Sequence, residues 1–264
     1  LGEGNDFVDS GAGDDTITND GGNNTVIAGD GDDSVTLADG DNDINSGAGD
    51  DSITLGNGNN LVAAGEGDNS VAAGDGDNAI TAGAGRDIIE LGDGDNTVDA
   101  GEGNNDLTAG DGNNTVTTGA GIDILTLGDG DNTVDAGDGD NTVTVGTGSN
   151  SVTTGAGVDT VTVLAADVGV VPGGNLIKVG AGDDVVTASG GDDVIFGGFG
   201  VDVLSGGDGA DSFHYAERDE SYSIYQDRIT DFESGIDQIV IEENLLTQMG
   251  VEAGITLSGV DFVG

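Results

Sequence analysis

Gly137 to Val145 reads GDGDNTVTV. Its nine positions follow Gly-x-Gly-[Asp/Asn]-[Asp/Asn]-x-[Val/Ile/Leu]-x-x, and the same unit runs without loss of phase from Gly2 to Val163. That span is 162 residues, or eighteen units of nine. Two units replace the first Gly, with Asp20 and Ala38, and keep the spacing. A strict short period means one small structural unit stacked many times. The first five positions are turn chemistry: Gly supplies positive φ, and Asp and Asn bond their own backbone. The remaining four form a short strand rich in β-branched residues. Turn and strand alternate, so two units close one coil of eighteen residues, and stacked coils build two parallel sheets about 4.8 Å apart per step. Nine such coils would span roughly 43 Å.

Alternation along each strand assigns its faces. Val134, Val143 and Ala136 point inward, while Thr133 and Asp135 point outward. The ninth positions alternate in size. Leu37, Leu55, Leu91, Leu127 and Val145 end units on one side, and Ala28, Ala64, Ala82, Ala100 and Ala136 on the other. A large row facing a small row lets a thin two-sheet core interdigitate. With six Phe, three Tyr and no Trp in 264 residues, a thin core along a repeat axis is more plausible than a conventional globular one. The 53 Gly and the acidity could belong to a disordered tract. Such a tract has no reason to hold an aliphatic residue every nine positions, although folding only with a ligand is compatible with the sequence.

The net charge of −48 argues strongly against nucleic acid or an anionic membrane as partner, and no membrane insertion is expected. Arg86, Lys178, Arg218 and Arg228 cannot neutralise 52 acids. Stacked carboxylates about 5 Å apart repel by roughly 1 kcal/mol in water and about 3 kcal/mol at a protein surface. Inorganic cations are therefore the implied partner. There is no Cys, so disulfide and thiolate chemistry are absent. No apolar run approaches membrane-spanning length. The chain starts inside the repeat without a signal peptide and reads as a fragment of a longer protein.

Gly197 to Ser205, GGFGVDVLS, and Gly206 to His214, GGDGADSFH, resemble the RTX, or haemolysin-type calcium-binding, nonapeptide Gly-Gly-x-Gly-x-Asp-x-(aliphatic)-x. The resemblance extends over nearly the whole chain. It implies an all-β parallel β-roll in which turns of adjacent coils trap multiple Ca2+ ions through Asp carboxylates and backbone carbonyls. Calcium takes six to eight hard oxygens at flexible angles, which Gly-rich turns can supply. The positions matching the family's liganding Asp are Asp6, Asp15, Asp33, Asp51, Asp87, Asp123, Asp159, Asp184, Asp193, Asp202 and Asp211. Asn69, Asn105 and Asn141 interrupt this set on one edge and are expected to be weaker metal or Asn-ladder positions. The other edge carries Asn24, Asn42, Asn60, Asn78, Asn96, Asn114, Asn132 and Asn150. Asn offers a neutral oxygen, so two unlike edges are expected: one calcium-rich, strongest at Asp15, Asp33 and Asp51, and one stapled by Asn hydrogen bonds.

A longer period overlies the short one. Units beginning GAG recur every 36 residues and bring Asp15, Asp51, Asp87, Asp123 and Asp159. The units between them carry Asp30, Glu66, Glu102 and Asp138 at the second position. Spacing of charge between ions and duplication of a four-unit cassette both explain this. The regular roll is assigned to 1–163, an irregular coil or bulge to 164–179, consensus-like repeats to 180–211, and a capping and secretion segment to 212–264. The break at 164–179 is sixteen residues, two short of a coil, and Val171 to Val179 can be read as a degenerate unit with Asn175 in its turn. Past Ser212 the nonapeptide spacing ends, and Phe213, Tyr215, Tyr222, Tyr225 and Phe232 could close the open end of the stack. GADSFHY and DRITDFESGIDQIVI, over Gly209 to Ile241, resemble the C-terminal segment of serralysin-type and other type I secreted RTX proteins. Asp261-Phe262-Val263 resembles an export tail.

Catalysis is not expected. His214 is the only His, no HExxH zinc motif exists, and the carboxylates repeat in register whereas catalytic pairs sit in unlike environments. The resemblance implies secretion through a type I apparatus and folding outside the cell, as part of a large adhesin or as an accessory module of an extracellular enzyme or toxin. Surface or polysaccharide contact is compatible with both. An outward column of Thr18, Thr36, Thr54, Thr108, Thr126, Thr144 and Thr162 is similar to the arrays of ice-binding β-solenoids, although Ala72 and Glu90 interrupt it.

Overall fold

The computed structural model describes residues 2–166, 173–215 and 227–241, together with the backbone of a short strand, Asp261–Phe262. All regular structure among them is β-strand. The chain divides into two compact units, Leu1–Asp135 and Ala136–Gly264.

In the first unit, strands from Phe7–Ala12 to Thr133–Asp135 alternate between two sheets, and each pairs in parallel with the next but one in sequence. Thr97, Val98 and Asp99 lie opposite Thr115, Val116 and Thr117, and Asp106–Ala109 opposite Ile124–Leu127. Both registers step by eighteen residues, as two nine-residue units per coil require. The unit is a parallel β-roll. From Thr16 onward its strands bury every second side chain: Thr115–Thr118 reads exposed, buried, exposed, buried. Both ninth-position rows are inside, with Leu37, Leu55, Leu91 and Leu127 on one sheet and Ala28, Ala64, Ala82 and Ala100 on the other.

The turns are where glycine is required. Gly94 has φ 141°, and a Cβ there would overlap the carbonyl oxygen of Gly76 in the preceding coil. Positive φ and close backbone approach thus act at the same residue. The core is one side chain deep, so each buried aliphatic residue matters. Leu107 is fully buried. Leu107→Ala is expected to destabilise the unit by about 2–5 kcal/mol in denaturant titrations.

The second unit is a parallel β-roll with several steps longer than eighteen residues. Leu176–Lys178 lies opposite Val194–Phe196 at the eighteen-residue step. Its other partner is Ser151–Thr153, twenty-five residues away. Thr160 and Val185 are also separated by twenty-five. Seven residues are therefore inserted into one coil, where the sequence spacing reads as two short of a coil. The strand Leu176–Lys178 itself is regular, and Asn175 stands in the turn before it. Residues 167–172, which include Pro172 and the middle of the expected bulge, lie outside the described residues.

The ladder also runs on past Asp211, where the nonapeptide spacing stops. Arg228–Ile229 pairs with Val203–Leu204, and Gln238–Ile241 with Ser212–Tyr215, at steps of twenty-five and twenty-six. Coils can lengthen in their turns while strand pairing continues, and that breaks the spacing that sequence reading depends on. Phe213 is fully buried, with its ring 6.4 Å from that of Phe232. Tyr222 and Tyr225 fall outside the described residues. His214 lies in the strand Ser212–Tyr215, its ring 4.6 Å from that of Phe196, over which the Lys178 ammonium sits at 5.3 Å.

Candidate metal centres

The fifth position of every unit ends a turn and enters a strand, which carries its side chain into the gap between coils. One oxygen of that side chain does the same thing throughout. Oδ1 accepts the backbone N–H of the fifth-position residue one coil earlier. Asp33 accepts from Asp15 at 2.8 Å, Asp51 from Asp33 at 2.8 Å, and Asn69 from Asp51 at 3.1 Å. On the other edge Asn114 accepts from Asn96 at 3.2 Å. In the second unit Asp184 accepts from Asp159 at 2.8 Å, Asp202 from Asp184 at 2.9 Å, and Asp211 from Asp193 at 2.9 Å. Through Oδ1, Asp and Asn are interchangeable.

The second terminal atom separates them. Asn96 Nδ2 donates to the carbonyls of Gly92 at 3.3 Å and Gly94 at 3.0 Å, and to Asn114 Oδ1 at 2.9 Å. Asn78 repeats this with Gly74, Gly76 and Asn96, and Asn114 with Gly110, Gly112 and Asn132. On the mixed edge, Asn69 donates to Gly65 and Gly67, and Asn105 to Gly101 and Gly103. Each amide nitrogen thus sits among oxygens. Where Asp takes the same position, Oδ2 has no N–H to offer those carbonyls. Oδ2 of Asp15, Asp33, Asp51, Asp87, Asp159, Asp184, Asp193, Asp202 and Asp211 is buried without a hydrogen-bond partner. Except for Asp15, these residues are at most 2% exposed.

A buried carboxylate oxygen without a hydrogen-bond partner is costly unless it is protonated or meets a cation. Burial pushes the carboxyls of Asp51, Asp87, Asp123 and Asp159 above their usual range. Beyond Asp159 the effect is larger. Burial, opposed by a backbone hydrogen bond and reinforced by neighbouring carboxylates, raises Asp184 and Asp211 to about 6, Asp193 to about 7 and Asp202 to about 8. The second-position acids of the mixed edge enter here. Glu66 adds repulsion at Asp87, and Glu102 at Asp123, each from the coil before. From Glu66 onward the 36-residue alternation therefore sets an Asn-bearing turn with an extra acid beside an Asp-bearing turn.

The donor set is one for a hard cation: carboxylate oxygens and Gly carbonyls, with no sulfur. Among the described residues no three His, Cys, Asp or Glu side chains converge. Backbone carbonyls would have to complete each shell, which suits calcium better than the imidazole- and thiolate-seeking metals.

Asp6 differs from the other candidates. Its Oδ2 accepts from Asn19 Nδ2 at 2.8 Å, so an amide already satisfies it. Asn141 bonds the carbonyls of Ala136 and Gly137. The structure adds three residues to the candidates read from sequence. Asp227 and Asp237 occupy fifth positions, their Oδ1 accepting from Asp202 at 3.0 Å and Asp211 at 3.1 Å. Asp-Arg-Ile and Asp-Gln-Ile keep the Asp-x-aliphatic core of the repeat, and that was the available signal. Asp231 accepts from Ser205 Oγ and from the backbone N–H of Gly206 and Gly207, and no periodicity marks it.

No curated protein sequence matches the chain. The family model for the RTX calcium-binding nonapeptide repeat (4 copies) matches it in overlapping stretches, continuously over residues 2–163 and again over 172–213. Turn, strand and buried Asp recur at the spacing that model describes, over far more than half of the residues, and the chain belongs to the RTX calcium-binding nonapeptide repeat family.

Proposed function

We propose that this chain is a non-enzymatic, calcium-loaded β-roll module of a secreted or cell-surface bacterial protein, exported by a type I apparatus and folded outside the cell by the ions it meets there. The observation that carries this is the row of buried Oδ2 atoms without partners. Calcium bound in the inter-coil gaps would neutralise these oxygens and the adjacent carbonyls, so that binding free energy becomes folding free energy. Low cytosolic calcium would leave the chain incompletely folded for export, and millimolar external calcium would complete the fold. Family membership supports calcium as the ion.

A structural role in a large adhesin fits a regular, highly charged repeat module, and surface or polysaccharide contact would belong to such a role. An accessory position beside an extracellular enzyme or toxin fits the same module. No helix among the described residues is long and apolar enough to cross a membrane. The ice-binding reading is weaker, because Ala72 and Glu90 stand in one stacked row between Thr54 and Thr108 and break the Thr column.

Calcium titration of calcium-free protein, followed by far-UV circular dichroism and calorimetry with magnesium as control, tests the reading. The expected result is a gain of β signal with calcium and little with magnesium, which keeps its waters and demands octahedral geometry. Full β structure without calcium, and no calorimetric binding, would overturn it.

A further inference from the structure

The amide nitrogens of the Asn-bearing turns occupy the position that Asp Oδ2 holds elsewhere. Asn96 and Asn114 each place Nδ2 within 3.3 Å of two carbonyls of their own turn and of the next coil's Oδ1. Three oxygens converge on one N–H donor group, and the donor is covalently part of the chain. An Asp at the same place leaves an all-oxygen gap.

We propose that the Asn amide is a built-in substitute for the cation, so that one edge of the first unit closes without metal and only Asp-bearing turns load calcium. This rests on the calcium reading above and deepens it. In the first unit, the edge from Asn24 to Asn132 carries Asn at every fifth position, so its bonds form at any calcium concentration. In the second unit Asn ends with Asn141 on one edge and Asn175 on the other, and both edges then become acidic: Asp159, Asp184 and Asp202 on one, and Asp193 and Asp211 on the other. These five carry buried Oδ2 atoms without partners and have no amide between them in their columns. The calcium demand of the roll is therefore graded along the chain. The first unit keeps its Asn-edge stacking when calcium is withdrawn, while the acidic coils of the second unit open. Calcium would then complete a partly formed roll, and ion number would follow Asp content instead of repeat number.

Hydrogen exchange of the full chain, with millimolar calcium and after calcium removal, tests this. Amides of the strands between Asn60 and Asn132 on the Asn edge should keep protection within about tenfold on removal, while those between Asp184 and Tyr215 should lose about a hundredfold or more. Equal loss in both segments, with calcium binding intact by calorimetry, overturns the amide substitution and leaves the calcium reading standing. Retention in both, with calcium still binding, overturns it as well. No binding anywhere overturns the calcium reading itself. A paired variant, Asn96→Asp with Asn114→Asp, keeps the Oδ1 bonds and removes both amides. It should expose the surrounding strands in calcium-free solution, regain protection in millimolar calcium, and bind additional calcium. Protection unchanged without calcium, or lost and not restored by it, would overturn the proposal.

Discussion

Asp202→Asn is expected to make the second unit more stable in calcium-free solution at pH 8 and to reduce its response to calcium. Asp202 is fully buried, its Oδ1 already accepts the Asp184 N–H, and its Oδ2 has no partner. Burial first, then the carboxylates of Asp227, Asp184 and Asp183, hold its acid form up to about pH 8. Asn fills the same position in other coils and makes the same Oδ1 hydrogen bond. Its Nδ2 would face the carbonyls of Gly198 and Gly200, as Asn96 Nδ2 faces Gly92 and Gly94. The substitution removes a buried, repelled charge and adds a donor where oxygens converge. The expected gain without calcium is on the order of 2–4 kcal/mol. In millimolar calcium the sign should reverse, because a ligand is lost and the bound ion's contribution to stability falls. Denaturant titrations of both proteins, with and without calcium, check both signs. A variant less stable than the parent in calcium-free solution would mean that Oδ2 is not the destabilising group.

Why this site was half legible in the sequence follows from what periodicity encodes. The nine-residue spacing specifies turn, strand and face, so the eighteen-residue coil, the buried Val98 and Val116, and the opposed Leu and Ala rows can be read directly. It also locates the fifth-position column. It does not reveal what each second atom meets, because that depends on the register between coils. Asp6 matches the column by spacing, yet Asn19, thirteen residues away, supplies its amide. Asp227 and Asp237 carry the right local triplet, but turns of unequal length remove them from the count. Asp231 is held by a hydroxyl and two turn amides that no repeat predicts. Position within a unit is a local property, and hydrogen-bond satisfaction belongs to a pair of coils.

The pH dependence of the calcium-free protein should run opposite to ordinary acid denaturation. Four carboxyls of the second unit have folded values above the usual 3.8: Asp184 and Asp211 at about 6, Asp193 at about 7 and Asp202 at about 8. Between 3.8 and those values the folded chain binds more protons than the unfolded chain. Stability therefore rises as pH falls from about 8 towards 4, and it is lost as pH rises through 6 to 8. Below about pH 4 both states are protonated at these groups and the effect levels off. The gain between pH 8 and pH 5 should be on the order of 3–5 kcal/mol, since the four groups are coupled and do not add in full. Relief of repulsion among the exposed acids acts in the same direction. Calcium should turn the slope around. An ion at these oxygens favours their charged form and draws the folded values below the unfolded ones, so acid then competes with the metal and stability falls with pH. Denaturation midpoints at pH 5 and pH 8, measured on calcium-free protein and in millimolar calcium, give four values. The expected order is higher at pH 5 without calcium and higher at pH 8 with it. The same slope in both series would show that protons and calcium do not compete for the buried oxygens, and would remove Asp193 and Asp202 from the ion sites.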